Sequence, residues 1–191
     1  MPEEYLIEHC APTLAGIKTG NLFSIKKEAD IYKQISELNR KLRDKGIRVI
    51  PIPKRGGGML IYLYRPEHLK RDLESPDARE ILEGRGYSGR DSQKCIVELI
   101  RHLSTDTDFP HEIGLFLGYP PADVKGFMES PHTGYKCVGT WKVYGDIEQA
   151  EKLFAAYRKC RYLYDREYKK GRSLEQLAVN TRGRCFGASN R

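Results

Sequence analysis

Hydrophobic residues recur at helical spacing along much of the chain. Within residues 31–42 they lie three or four positions apart, at Ile31, Ile35, Leu38 and Leu42, with polar residues between them. This pattern predicts an amphipathic helix that ends before Gly46. The same spacing, or a capping residue ahead of a periodic run, predicts further helices over residues 3–10, 66–73, 76–82 and 91–103, a long helix after Asp146 and a short helix after Ser173.

Alternating hydrophobic and polar positions predict about four strands, over residues 13–25, 47–53, 59–65 and 137–144. The first strand is expected to have a bulge or a close backbone approach near Gly20, because a regular strand would place Lys18 and Asn21 on opposite faces. The second and third strands are separated by a glycine-rich loop, which predicts a β-hairpin. Pro51 and Pro53 have no N–H donor, so the second strand is expected at a sheet edge.

These elements together predict an α+β fold. We expect a single compact domain over residues 1–179, with a small, mainly antiparallel sheet covered by helices. The chain has 191 residues, which is long enough to bury such a core. Residues 180–191 are polar and basic and contain glycine, so they predict a flexible tail.

The segment from Phe109 to Phe127 concentrates glycine, proline, large apolar residues and a histidine. It predicts a short helix over residues 112–117, closed by Gly118 in a left-handed conformation, and a second helix that restarts at Pro120 and Pro121. The arrangement fits a helix-turn-helix template over residues 111–128. The second helix, however, offers few of the Arg, Lys, Asn or Gln side chains that read a DNA groove.

The charge permits several kinds of partner and selects none of them. The formal net charge is +7 and the pI is about 9.1. Nucleic acid, an acidic protein and an anionic metabolite are all compatible with this excess of positive charge.

The five cysteines and the absence of a long apolar run favour a cytoplasmic protein. The cysteine count is odd and no pair has the C-x-x-C spacing, which favours reduced thiols. The first residues are acidic, unlike a signal peptide, and the longest apolar run, residues 59–64, is far too short to span a membrane.

His111 and Glu112 stand at the predicted start of the first central helix. An imidazole near a helix N-terminus is held towards its neutral form, which suits a general base. The alternative is that His111 only caps the helix, while Glu112 favours the positive end of the helix dipole.

His9 and Cys10 form a second candidate. Neighbouring side chains point in different directions in regular structure, so a thiol–imidazole pair would need a partner from elsewhere, such as His111 with Cys10. The alternative is that Cys10 is buried and inert. No four-ligand pattern emerges among the histidines and cysteines, so no metal site is predicted, and the sequence identifies no cofactor.

Three lysines, Lys18, Lys136 and Lys142, lie in or beside predicted strands rather than on helix faces. Lysines anchored on a sheet can present positive charge to a phosphate or carboxylate, with Asn21 and Trp141 nearby in sequence. The alternative is that they extend along the sheet rim with their ammonium groups in water.

Three segments resemble a family of uncharacterised bacterial proteins, a domain of unknown function found chiefly in anaerobic Firmicutes. The segments are HCAPTLAGIKTGNLF at residues 9–23, FPHEIGLFLGYPPADVKGF at 109–127 and KCVGTWKVY at 136–144. The resemblance covers about residues 3–179 and implies one compact domain without an established activity. It is loosely associated with flavodoxin-like neighbours, and a basic protein could dock an acidic flavodoxin.

The leading hypothesis is a protein that binds a small anionic ligand, and that could also be an enzyme. Its pocket would bring together the first strand, the helix start at His111 and the strand at 136–144. The competing hypothesis is a binding module, either for nucleic acid through residues 111–128 or for an acidic redox protein.

Overall fold

The computed structural model describes residues 3–26, 29–54, 57–88, 91–105 and 109–181. Along the chain the helices are α1 (Glu3–Leu14), α2 (Ile31–Leu42), α3 (Pro66–Leu73), α4 (Pro76–Gly84), α5 (Ser92–Thr105), α6 (Ile113–Phe116), α7 (Pro121–Glu129), α8 (Ile147–Lys169) and α9 (Leu174–Leu177). The strands are β1 (Gly20–Ile25), β2 (Arg48–Pro53), β3 (Met59–Tyr64), β4 (Cys137–Val138) and β5 (Lys142–Val143), and a 3-10 turn covers Arg43–Lys45. This is the predicted α+β class.

The main sheet has three antiparallel strands in the order β1-β3-β2. Ile61 in the central strand pairs with Phe23 on one side and with Pro51 on the other. The hairpin of β2 and β3 is therefore confirmed, and so is the edge position of the proline-containing strand β2.

Both faces of β3 are covered, because every side chain of this strand is buried. Met59, Ile61 and Leu63 pack with residues of α1, α2 and α9. The alternate side chains, from Leu60 to Tyr64, pack with residues of α3 to α7. The sheet thus separates two helical layers, with a hydrophobic core on each side.

The prediction of one strand over residues 137–144 is wrong. Two short strands, β4 and β5, fold back on each other and form a sheet of their own, in which Cys137 pairs with Val143. Gly139 lies in the turn, where a Cβ atom would come 2.2 Å from the ring of Phe154. The hairpin therefore packs on α8, against which Trp141 is also buried.

The prediction of a strand from residue 13 is also wrong, because α1 continues to Leu14 with Pro12 inside it. Pro12 lies in the last turn, and because it has no N–H the helix lacks one backbone hydrogen bond there, to the carbonyl of Glu8. Its carbonyl then accepts hydrogen bonds from the backbone N–H groups of Ile17 and Lys18. Strand β1 begins only at Gly20.

Gly20 shows the close approach that the sequence predicted, without a bulge. Its pairing with Tyr64 continues the regular register of β1. A Cβ atom at Gly20 would lie 2.8 Å from the carbonyl oxygen of Phe116 and 2.8 Å from the ring of Tyr62.

The predicted helix caps are present at several helices. The side chains of Ser75, Asp146 and Ser173 accept hydrogen bonds from the backbones of α4, α8 and α9. Residues 182–191, most of the predicted flexible tail, lie outside the described residues. In the part of the chain that the structure describes, no helix has the length and apolar character needed to cross a membrane.

Arg65, at the end of β3, is buried between the first and last segments of the described chain, and its side chain is 1% exposed. Its guanidinium donates to the carbonyl oxygens of Thr13, Leu14, Lys45 and Val179 at 2.7–2.9 Å. Another N–H group donates to Thr181 Oγ1 at 2.7 Å. Burial lowers the pKa of Arg65 to about 10. Two of these oxygens also accept a backbone N–H, Thr13 O from Gly16 and Leu14 O from Val179, so Arg65 gives them a second hydrogen bond.

Replacing Arg65 by methionine removes five side-chain hydrogen bonds, four to carbonyl oxygens and one to Thr181 Oγ1. We expect Arg65→Met to lower the free energy of unfolding by about 3 kcal/mol or more, because each hydrogen bond that involves a charged group contributes about 1.5–3 kcal/mol. Urea unfolding followed by circular dichroism measures the loss. Arg158→Met, on the exposed face of α8, is the matched control and should change stability by less than about 0.5 kcal/mol. Equal stabilities of the two variants would contradict this role for Arg65.

Candidate functional site

A polar cleft of about 640 Å³ opens between the loop after α1, helix α3, the turn before α7 and helix α8. We call it the Lys18 cleft. Its polar lining residues are Lys18, Thr19, His68, Arg71, Asp72, Ser75, Tyr119, Gln149 and Tyr157.

The loop that carries Lys18 is fixed from both ends. Gly16 turns the chain with a φ of 78°, in the left-handed region that favours glycine. Beyond Lys18, the carbonyl of Thr19 accepts a hydrogen bond from Arg65 N–H at 2.9 Å. The turn before α7 packs closely against this loop. A Cβ atom at Gly118 would lie 2.8 Å from the side chain of Thr19.

Lys18 is a buried amine, only 4% exposed. Its Nζ donates to the carbonyl oxygen of Gly20 and lies 5.1 Å from the centre of the Tyr119 ring. Among the described residues, no carboxylate forms an ion pair with it. Burial lowers the pKa of Lys18 to about 7, an effect only partly opposed by the Cys10 thiol. Near neutral pH the amine is therefore divided between its charged and neutral forms.

The facing wall, on α3, carries both signs of charge. Thr19 Oγ1 donates to Asp72 Oδ2, and Asp72 Oδ1 forms an ion pair with Arg71 Nη2 at 2.8 Å. The Arg71 side chain is 62% exposed and keeps much of its surface open to solvent. Burial, together with Arg71 and Arg65, lowers the pKa of His68. The local charge is thus positive when Lys18 is protonated and close to zero when it is not.

Tyr119 separates the Lys18 cleft from a second cavity of about 420 Å³, which we call the aromatic cavity. The ring of Tyr119 stacks on Trp141 at a centroid distance of 4.6 Å. Burial raises the pKa of Tyr119 to about 12, so its hydroxyl stays protonated. The lining of the aromatic cavity is largely apolar and includes Phe109, His111, Phe127, Trp141 and Lys142.

The structure separates the two residues that the sequence placed together at the helix start. His111 is exposed and its ring meets Phe127 edge-on at 5.0 Å, in the aromatic cavity. Glu112 is fully buried on the opposite side, where Oε1 accepts from the Tyr87 hydroxyl at 3.1 Å and lies 3.3 Å from His102 Nδ1. Its other oxygen is 3.4 Å from Arg85 Nε. Glu112 therefore holds α5 and the segment before α6 together and does not face His111.

Cys10 and His9 also lie apart from both cavities. Cys10 is fully buried in the core beside the main sheet, and burial raises the pKa of its thiol well above the usual range. This environment opposes the thiolate that a nucleophile requires. His9 stacks on Phe23 at 4.8 Å. Asn21 accepts a hydrogen bond from Thr13 Oγ1 at 2.6 Å.

The remaining predicted lysines lie on or beside the β4–β5 hairpin, away from Lys18. Lys142 lines the aromatic cavity, donates to the carbonyl oxygen of Pro131 and lies 4.9 Å from the Tyr135 ring centre. Lys136 is exposed and donates to the carbonyl oxygen of Gly145. The expectation that Lys18, His111 and Lys142 share one cavity is therefore wrong. His111 and Lys142 line the aromatic cavity, and Lys18 lines the cleft on the other side of Tyr119.

The segment with helix-turn-helix character is used for internal packing. Helix α6 has a single turn, and Gly118 follows it with the predicted left-handed φ of 78°. Asp123 of α7 is buried, and it accepts hydrogen bonds at 2.7 Å from Trp141 Nε1 and from the backbone N–H groups of Tyr144 and Gly145. The β4–β5 hairpin thus covers this face of the helix.

Sequence reasoning missed most of the lining of the Lys18 cleft. His68 and Asp72 are four residues apart on α3, so their shared face could have been noticed. Gln149 and Tyr157 lie on the long helix α8, for which the sequence predicts only the secondary structure. No sequence signal links α8 to residues 16–19, because that contact exists only after the chain has folded.

In the described ranges, no group of three or more His, Cys, Asp or Glu side chains is arranged to hold a metal ion. In a comparison with protein families, a model for proteins of unknown function, DUF3793, matches residues 6–178. The chain belongs to the DUF3793 family. This confirms the resemblance to a family of unknown function. No curated protein and no solved structure matched the chain.

The lowered pKa of Lys18 predicts a dependence of stability on pH. Between about pH 7 and the ordinary lysine pKa of 10.5, the unfolded chain binds the Lys18 proton and the folded chain does not. The stability contribution of Lys18 therefore rises by about 1.4 kcal/mol per pH unit in this range and is constant below it. We expect Lys18→Met to be more stable than the natural protein near pH 7, by a margin that shrinks as pH rises.

Urea unfolding of both proteins at several pH values above 7 measures this margin. Exposed groups that titrate in the same range affect both proteins equally, so they cancel in the difference. Parallel curves would show that the Lys18 pKa is not lowered in the folded protein.

Proposed function

We propose that this DUF3793 protein binds a small anionic ligand in the Lys18 cleft. The observation that carries the proposal is the buried Lys18 amine, which has a carbonyl oxygen but no carboxylate partner among the described residues. Burying a cation without a counter-charge is costly, and an anion in the cleft would supply that counter-charge.

The surroundings of Lys18 support an anion of modest size. Arg71 supplies a second cation. Among the described residues that line the cleft, Asp72 is the one that carries a negative charge. Ser75 and Gln149 add neutral polar groups to the lining, and Tyr119 adds an aromatic wall. A volume of about 640 Å³ is within the usual range for small-molecule sites.

We further propose that the protein acts in the cytoplasm. Within the described residues, Cys10, Cys95, Cys137 and Cys160 form no disulfide bond. Cysteines without disulfide bonds are typical of a reducing compartment.

The competing binding-module hypothesis receives less support from the geometry. Lys125 is the basic residue of α7, and it pairs with Glu80 of α4 at 3.0 Å. Asp123 of the same helix is occupied by the β4–β5 hairpin. A helix held in this way offers little positive charge to a phosphate backbone or to an acidic redox partner.

Anion binding should weaken as pH rises through 7. The proposed ligand prefers the protonated Lys18, whose fraction falls about tenfold between pH 6 and pH 8 when the pKa is about 7. Isothermal titration calorimetry with sulfate, oxalate and pyruvate measures this, because these anions keep their charge over that range. The groups that face Lys18 across the cleft are Arg71, Asp72, His68, Tyr119 and Tyr157, with Cys10 behind it.

Two variants distinguish anion binding at this site from non-specific attraction of anions to a basic protein. Lys18→Met should lose most of the affinity and all of the pH dependence. Lys159→Met removes an exposed cation from α8 and should bind like the natural protein. Equal losses in the two variants, or no binding of any of the three anions at pH 6, would contradict the proposal.

A further inference from the structure

The Lys18 cleft combines a buried primary amine with groups that could assist a reaction at it. Among the residues that the structure describes, Lys18 Nζ has one hydrogen-bond partner, the Gly20 carbonyl oxygen. An ammonium has three N–H donors, so one acceptor leaves the nitrogen free to engage a ligand. The centre of the Tyr119 ring lies 5.1 Å from the nitrogen. Thr19 and Asp72, which are joined by a hydrogen bond, line the same cleft.

We propose that the ligand of the Lys18 cleft is a small carbonyl compound with an acid group, such as a 2-oxo acid, and that Lys18 condenses with its carbonyl carbon to form an imine. This inference rests on the proposed function, since it names the chemical class of the anion. The Lys18 nitrogen would bond to the carbonyl carbon while Arg71, in the same cleft, attracts the acid group.

The condensation balances without any further reactant. The neutral amine attacks the carbonyl carbon, and its electron pair forms the C–N bond. A proton moves from nitrogen to the former carbonyl oxygen, which gives a carbinolamine. Loss of the hydroxyl group as water, with the second amine proton, leaves the imine, so that one carbonyl compound and one amine give one imine and one water. No electron is gained or lost.

The environment of Lys18 favours this step over the same reaction at exposed lysines. With a pKa of about 7, about half of the Lys18 amine is neutral at neutral pH. An exposed lysine, with a pKa of about 10.4, is neutral only about once in a thousand. Asp72, hydrogen-bonded to Thr19, lines the same cleft and is a carboxylate that could pass the protons to water.

Reductive trapping tests the proposal. The full-length protein is incubated with glyoxylate or pyruvate and sodium cyanoborohydride at neutral pH, and adducts are located by intact mass and peptide mapping. We expect one reduced adduct at Lys18, formed on the order of ten times faster or more than at any exposed lysine. Sulfate, as a competing anion, should slow it.

Two variants and a control variant keep the test independent of folding. Lys18→Arg retains the cation but cannot form the adduct under these conditions, and circular dichroism shows whether it is folded. Arg71→Gln keeps the amine and should slow trapping severalfold. The rate should fall mainly at low probe concentration, because glutamine at this position would attract the acid group of the probe less strongly than arginine. Lys159→Met should leave trapping at Lys18 unchanged.

The outcomes distinguish this inference from the proposed function. If pyruvate binds by calorimetry but no adduct forms at Lys18, the imine is refuted and anion binding stands. If no adduct forms and none of sulfate, oxalate and pyruvate binds at pH 6, both are overturned. Labelling spread over exposed lysines at equal rates would also refute the imine, because it would show that Lys18 has no special reactivity.

Discussion

The hydrogen bonds of one buried guanidinium connect the parts of the chain that frame the candidate site. Arg65 donates to carbonyl oxygens at the end of α1, in the 3-10 turn and in the segment after α9. None of these acceptors is a carboxylate, so the charge is balanced by carbonyl dipoles that must all be in place together. The first and last segments of the described chain are thereby coupled through the end of the central strand.

The position of Lys18 follows from that constraint. Arg65 holds the loop after α1 through its side chain at Thr13 and Leu14 and through its backbone N–H at Thr19. With the loop fixed, the Lys18 side chain is largely buried at the cleft, and its Nζ donates to the Gly20 carbonyl. The pKa of the amine is thus lowered because the fixed loop keeps Lys18 buried. The same burial favours the neutral form of the amine, which is the nucleophilic one.

Two cavities meet at Tyr119, and their linings suit different chemistry. The Lys18 cleft holds an amine, a guanidinium and a hydrogen-bonded carboxylate, so it suits an anion. The aromatic cavity is bounded by Trp141 and Phe127, with His111 and Lys142 at its edge. Asp123 fixes the hairpin that carries Trp141, and the stacking of Tyr119 on Trp141 keeps the cavities apart.

The sequence by itself determined the α+β class, helix α2 with its buried stripe, the hairpin of β2 and β3 and the turn at Gly118, because these depend on residues close together in the chain. It also nominated Lys18. Only the tertiary structure decided that Pro12 stays inside α1, that residues 137–144 turn back at Gly139, and that His111 and Glu112 face apart. It also brought His68, Arg71 and Asp72 to Lys18. These outcomes depend on packing between distant segments, and local periodicity carries no information about which segments will meet.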